Sequence, residues 1–152
     1  VKFNGKFRVN DLYKEISRWA KKNQYNIEEK AYEAKREGDS QSIKIILEIE
    51  KKVSDYAKIG VFTTLIGTNL KTIKSKNKVL QDGNMLISLS TFIKRDYEDV
   101  WSRKNLTRFF REFYDKFITR GHFEVDEKTI KNDAKSLKNT IKDHFKAHIL
   151  KK

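Results

Sequence analysis

Residues 42–53, SIKIILEIEKKV, carry Ile43, Ile45, Leu47 and Ile49 at every second position. Side chains alternate between the two sides of a strand, so these four apolar groups share one face, and that face needs a covering layer. The segment that follows, YAKIGVFTTLIGTNLKTIK (56–74), is rich in β-branched residues and reads as a second strand. GNMLISLSTFIKRDY (83–97), entered through Asp82-Gly83, reads as a third, after the basic turn KSKNK (74–78). Only short connections separate these segments. A parallel return needs a dozen or more residues, so antiparallel pairing is expected.

Two further strands flank this group. VKFNGKFRV (1–9) alternates Val1, Phe3 and Phe7 with Lys2, Lys6 and Arg8, with Gly5 marking a bulge or an Asn4-Gly5 turn. Residues 26–36 have imperfect alternation but are assigned to a strand, because the turn signal EGDSQ (37–41) follows directly. Between them, Leu12, Ile16, Trp19 and Ala20 fall on one helical face, with Asn10 as cap and an end near Asn23.

Past residue 97 the β signals stop. Leu106, Phe109, Phe110, Phe113, Phe117 and Ile118 follow helical spacing and fill one apolar stripe. That spacing makes them core residues and not a platform for stacked bases. Arg108, Glu112 and Lys116, and likewise Arg111 and Asp115, stand four apart as local ion pairs. Gly121 is the expected stop of this helix. A second helix is expected from Phe123 onward, with Glu124, Asp126 and Glu127 at its start. The order is β-α-β-β-β-β-α-α. This is an α+β fold, with an antiparallel sheet of about four to five strands, an N-terminal helix and two C-terminal helices. One domain spans 1–152, since no linker or repeat divides the chain.

Charge narrows the function. The chain is 36% charged with a formal net charge of +13, and the excess grows from +2 over residues 1–50 to +4 over 51–100 and +7 over 101–152. Such a gradient suits a binder of phosphates or acidic surfaces. It is sharpest in the last helix. With Ile130 at 0° and about 100° per residue, Ala134, Leu137, Ile141 and Phe145 fall on the buried side. Lys131, Lys135, Lys138, Lys142 and Lys146 fall between about 80° and 160°. Asn132, Asp133, Ser136, Asn139 and Asp143 fill the remaining polar sector. Lysines four apart repel by about 0.2–0.5 kcal/mol per pair, so segregating them has a cost. The stripe extends about 22 Å, a length over which one nucleic-acid strand presents several phosphates. Lys71, Lys74, Lys76 and Lys78, with Arg103 and Lys104, extend the patch if the fold gathers them.

Chemistry finds little purchase. The chain has no cysteine, which removes disulfides, thiolate metal sites and cysteine nucleophiles. His144 and His148 have metal-compatible spacing but lie beside the apolar face and read as structural; His122 is placed in a turn without a role. Asp96, Glu98 and Asp99 follow a strand and read as turn and cap residues. The six glycines are scattered, so no phosphate loop is formed, and no Ser-His-Asp pattern is evident. No catalytic residue, metal or cofactor is assigned. No apolar run approaches the ~20 residues of a membrane span and no signal peptide is visible, so cytoplasm is the simplest reading.

Several short elements occur in an order that resembles a family of small uncharacterised archaeal proteins. They are Val53 and Tyr56, Gly83 and Ile87, Asp96-Tyr97-Glu98, and Arg111 with Tyr114-Asp115-Lys116. The opening VNDLYKEISRWAKKNQY also resembles that family's first helix. The resemblance implies an archaeal cytoplasmic α+β domain and transfers no functional residue. The functional expectation therefore comes from charge: a non-enzymatic basic protein that contacts nucleic acid or ribosomal RNA mainly through phosphates. The competing expectations are an assembly protein that oligomerises through its sheet face or a strand edge beside VFTTLI (61–66), and an anionic membrane-surface binder using the same lysines.

Overall fold

The computed structural model describes residues 1–54, 57–75, 78–95 and 119–149, with side chains in these ranges except at 74, 75, 78, 119–126, 148 and 149. Strand β1 (Lys2–Phe7) leads to helix α1 (Val9–Lys22). Strands β2 (Asn26–Glu37), β3 (Ser40–Lys52), β4 (Ala57–Ser75) and β5 (Lys78–Arg95) follow, and then helix α2 (Thr119–Ile149). The five strands form one sheet in the order β1-β5-β4-β3-β2, antiparallel at every pairing.

The α+β class, the N-terminal helix and the antiparallel sheet of consecutive strands agree with the sequence patterns. Residues 26–36 do form a strand. Its hairpin to β3 turns on Gly38 and Asp39, where Gly38 supplies the positive φ of 59° that such a turn demands.

Several boundaries differ from expectation. Gly121 and His122 lie inside α2, so the expected stop is absent, and one described helix occupies the C-terminal region. A glycine costs a helix interior about 1 kcal/mol, which α2 offsets by burying its apolar face over four turns further on. Gly83 lies within β5, facing Gly5 across the ladder, and no turn forms at Asn4-Gly5. A Cβ on Gly83 would stand 2.7 Å from the Asn69 carbonyl oxygen, so this close passage needs glycine. Arg8, not Asn10, occupies the N-cap position of α1, without a side-chain capping hydrogen bond, and pairs with Asp11 at 3.3 Å. The expected helix over 105–118, with its aromatic stripe, lies outside the described residues.

Both helices cover one face of the sheet. Ile43, Ile45, Leu47 and Ile49 of β3 are buried there, with Ile59, Val61 and Leu65 of β4 and Met85 and Ile87 of β5. Leu12, Ile16, Trp19 and Ala20 come down from α1, and Ile130, Leu137, Ile141 and Phe145 from α2. Phe145 stacks on Phe3 at 4.3 Å and meets Phe7 edge-on at 6.1 Å, which seats the end of α2 on β1. The other end of α2 is held by polar contacts. The Tyr25 hydroxyl donates to Asp133 Oδ2 at 2.7 Å, Lys51 Nζ reaches the same oxygen at 3.1 Å, and Trp19 Nε1 donates to Ser136 Oγ at 3.1 Å. Burial pushes the Tyr25 hydroxyl pKa upward, and the Asp133 hydrogen bond and charge raise it further. The hydroxyl therefore stays a donor at all ordinary pH.

A hydroxyl in the core lacks a partner among the described residues. Thr63, opposite Leu47 and Leu89, is fully buried, and its hydroxyl has no hydrogen-bond partner among the described residues. Valine has the same shape without that group. Thr63→Val is expected to raise stability by about 1 kcal/mol in urea unfolding, with the m-value unchanged.

Candidate nucleic-acid interface

The polar contacts of Asp133 and Ser136 turn that flank of α2 toward α1 and the end of β3. The flank on the opposite side of the buried stripe carries the lysines. Lys131, Lys135, Lys138, Lys142 and Lys146 are all exposed. Lys131 is paired with Glu127 at 2.6 Å and Lys146 lies 3.6 Å from Asp143. Lys135, Lys138 and Lys142 form no ion pair among the described residues. The middle of the stripe is thus the least compensated part.

This flank overhangs the edge strand β1. The amino group of Val1 has a lowered pKa, first through burial and then through the nearby charges of Lys138, Lys142 and Lys2. Lys138 and Lys142 of α2 therefore lie near the N-terminus of β1. Lys2 and Lys6 are exposed along β1 and were not singled out by sequence reasoning. They alternate with Phe3 and Phe7, which pack under α2, so they point to the face of the sheet turned away from the helices.

The second expected cluster sits on an arm. Beyond Lys71 and Asp82, the pairs Thr72–Gln81, Ile73–Leu80, Lys74–Val79 and Ser75–Lys78 extend β4 and β5 as a ribbon. Its residues 71–80 pair with no other described strand. Lys71 is exposed, and Lys74 and Lys78 are on the ribbon, with Lys76 outside the described residues. Phe7 faces Gln81 at the arm's base, and Phe145 packs on Phe7. The arm and the C-terminal part of the stripe therefore share one end of the molecule. Arg103 and Lys104 lie outside the described residues, as do Asp96, Glu98 and Asp99. Residues 61–66 lie in β4 between β3 and β5 and offer no free strand edge, contrary to the expectation for VFTTLI.

The face of the sheet turned away from the helices carries a network of paired charges. Glu48 is buried there and accepts from Lys94 and Lys30. Glu50 accepts from Lys58 at 2.9 Å and from Lys94 at 3.2 Å. Lys30 also reaches Glu28, at 2.6 Å. These lysines are already committed to carboxylates, unlike those in the middle of the α2 stripe. Lys94 holds the Glu48 carboxyl below its ordinary value, against the opposing effect of burial, and Lys30 assists. At Glu50 burial acts to raise the pKa, but Lys58 and Lys94 outweigh it and the net shift is also downward.

His144 is partly buried with its ring edge-on to Phe145 at 5.7 Å. Among the described residues no group of three or more His, Asp or Glu side chains gathers to hold a metal ion. No described helix is long and apolar enough to cross a membrane. No protein-family model, curated protein or solved structure matches the chain.

The acid response of the Glu48 network follows from the sign of its shift. A carboxyl whose folded pKa is depressed contributes stability above its unfolded pKa and loses it as pH falls through the folded value. Thermal unfolding is expected to show stability falling below about pH 4.5. In Glu48→Gln this acid-linked fall is expected to be smaller, from a lower starting stability at pH 7.

Proposed function

We propose that this protein is a non-enzymatic binder of structured nucleic acid, RNA in particular, that contacts the phosphate backbone. The observation that carries this reading is the exposed, one-sided lysine stripe of α2, with its middle three members unpaired among the described residues. A flank under no other demand would mix signs, as the opposite face of the sheet does. Lysine is a compact point charge without the fork of arginine, so such a stripe follows a backbone and does not read base edges. Lys71, on the arm at the same end of the molecule as the C-terminal part of the stripe, widens the contact.

Binding of this kind releases counterions, and log K falls linearly with log salt by about 0.9 for each duplex phosphate neutralised. Fluorescence anisotropy with a labelled hairpin RNA and a generic duplex, across a salt series, reads that slope. Changing Lys135, Lys138 and Lys142 to Gln is expected to reduce it by about 2–3, and changing all five stripe lysines by about 3–5. An unchanged slope in the five-lysine variant, or no binding by the native protein at low salt, removes the reading.

A further inference from the structure

A cleft opens on the helix-covered side of the sheet, between the first turn of α1 and strands β2 and β3, away from the lysine stripe. Its volume is about 330 Å³, within the range of small-molecule sites. We propose that this cleft binds a nucleobase.

Its floor is apolar, made by Ile43, Ile45 and Leu70, all buried. Each flanking element adds a tyrosine: Tyr13 from α1, and Tyr32 from β2, which is 58% exposed. Polar groups gather at the rim. The Gln81 side-chain oxygen accepts from the Val9 N–H at 3.4 Å, which commits its carbonyl to the helix and leaves its two N–H donors unspent. Asn10, Gln41 and Glu29 also line the cleft, and among the described residues their side chains make no hydrogen bond or ion pair. Apolar walls with a few convergent, unspent donors and acceptors are what a planar heterocycle requires. Its faces stack on tyrosine and its edge pairs with side-chain amides and a carboxylate. No lysine or arginine lines the cleft, so the uncharged base is the recognised part.

Two irregularities of the sheet aim side chains here. In β2 the register shifts between Glu29 and Ala31, so Glu29 faces Leu47 and Tyr32 faces Ile45. Three positions of β2 thus span two of β3. Without the extra residue Ala31 would stand opposite Ile45, and Tyr32 would point to the other side of the sheet. In β4 the register shifts between Thr68 and Lys71, where Asn69 takes a positive φ of 54°. Gly67 faces Ile43 and Leu70 faces Gln41, so Leu70 replaces Asn69 on the cleft floor. Two separate bulges thus turn one tyrosine and one leucine into the same cavity.

The site is independent of the lysine stripe, and its test uses uncharged probes. The isotope-labelled full chain is titrated with adenosine, guanosine and cytidine, and amide shifts are followed by NMR. At least one nucleoside is expected to give saturable shifts centred on Tyr32, Gln41 and Gln81, with an affinity that added salt does not change. Tyr32→Ala, at an exposed position where the fold is not at risk, is expected to weaken binding about tenfold, and Gln41→Ala to weaken it measurably. The five-lysine variant is expected to bind the nucleoside as the native chain does. No saturable shift with any of the three, shifts centred elsewhere, or equal affinity in Tyr32→Ala would overturn the proposal. None of those results bears on the salt slope of RNA binding, so the two readings fail separately.

Discussion

Asp133 sets the roll of α2, and the rest of the exposed chemistry follows from that roll. An apolar stripe of Ile130, Leu137, Ile141 and Phe145 determines which side of a helix faces the sheet, yet it leaves some rotational freedom, because aliphatic packing is not directional. Asp133 removes that freedom by accepting from Tyr25 and Lys51, two residues on different parts of the chain, while Ser136 takes the Trp19 N–H. A partly buried carboxylate is tolerated because both partners satisfy it; without them its desolvation would be costly. With the acidic and hydroxyl flank held against α1, the lysine flank faces outward over β1.

The two sides of the molecule handle lysine differently. Behind the sheet, Lys30, Lys58 and Lys94 are threaded through Glu28, Glu48 and Glu50, so each of these charges has an opposite partner. On α2, Lys135, Lys138 and Lys142 follow one another along one flank and form no ion pair among the described residues. Mutual repulsion there is a standing cost of a few tenths of a kcal/mol per pair. A bound phosphate backbone, as proposed above, would convert that cost into attraction.

Much of this was legible in the residues. Period-two alternation located β3 and its buried face, and helical spacing located both the core of α2 and the exposed lysines, because each pattern is a direct projection of backbone geometry. Other features were not legible, for equally physical reasons. Gly121 carries a stop signal that packing further along the helix overrides. The β2 strand looked irregular because Lys30 is an extra residue in the ladder; a bulge reverses parity, and parity was the signal being read. The partners of Asp133 lie 82 and 108 residues away and leave no local trace. The placement of Lys138 and Lys142 beside the N-terminus likewise depends on which flank of α2 overhangs β1, a tertiary fact that no spacing encodes.

The most direct test of the central claim is a lysine footprint. The protein would be acetylated briefly, with and without a bound structured RNA, and the modification of each lysine read by mass spectrometry. The account predicts protection of Lys135, Lys138 and Lys142, while Lys21 and Lys22, exposed on α1, react as they do in the free protein. Equal protection of Lys21 and Lys22, or an unprotected α2 stripe in the complex, would contradict it.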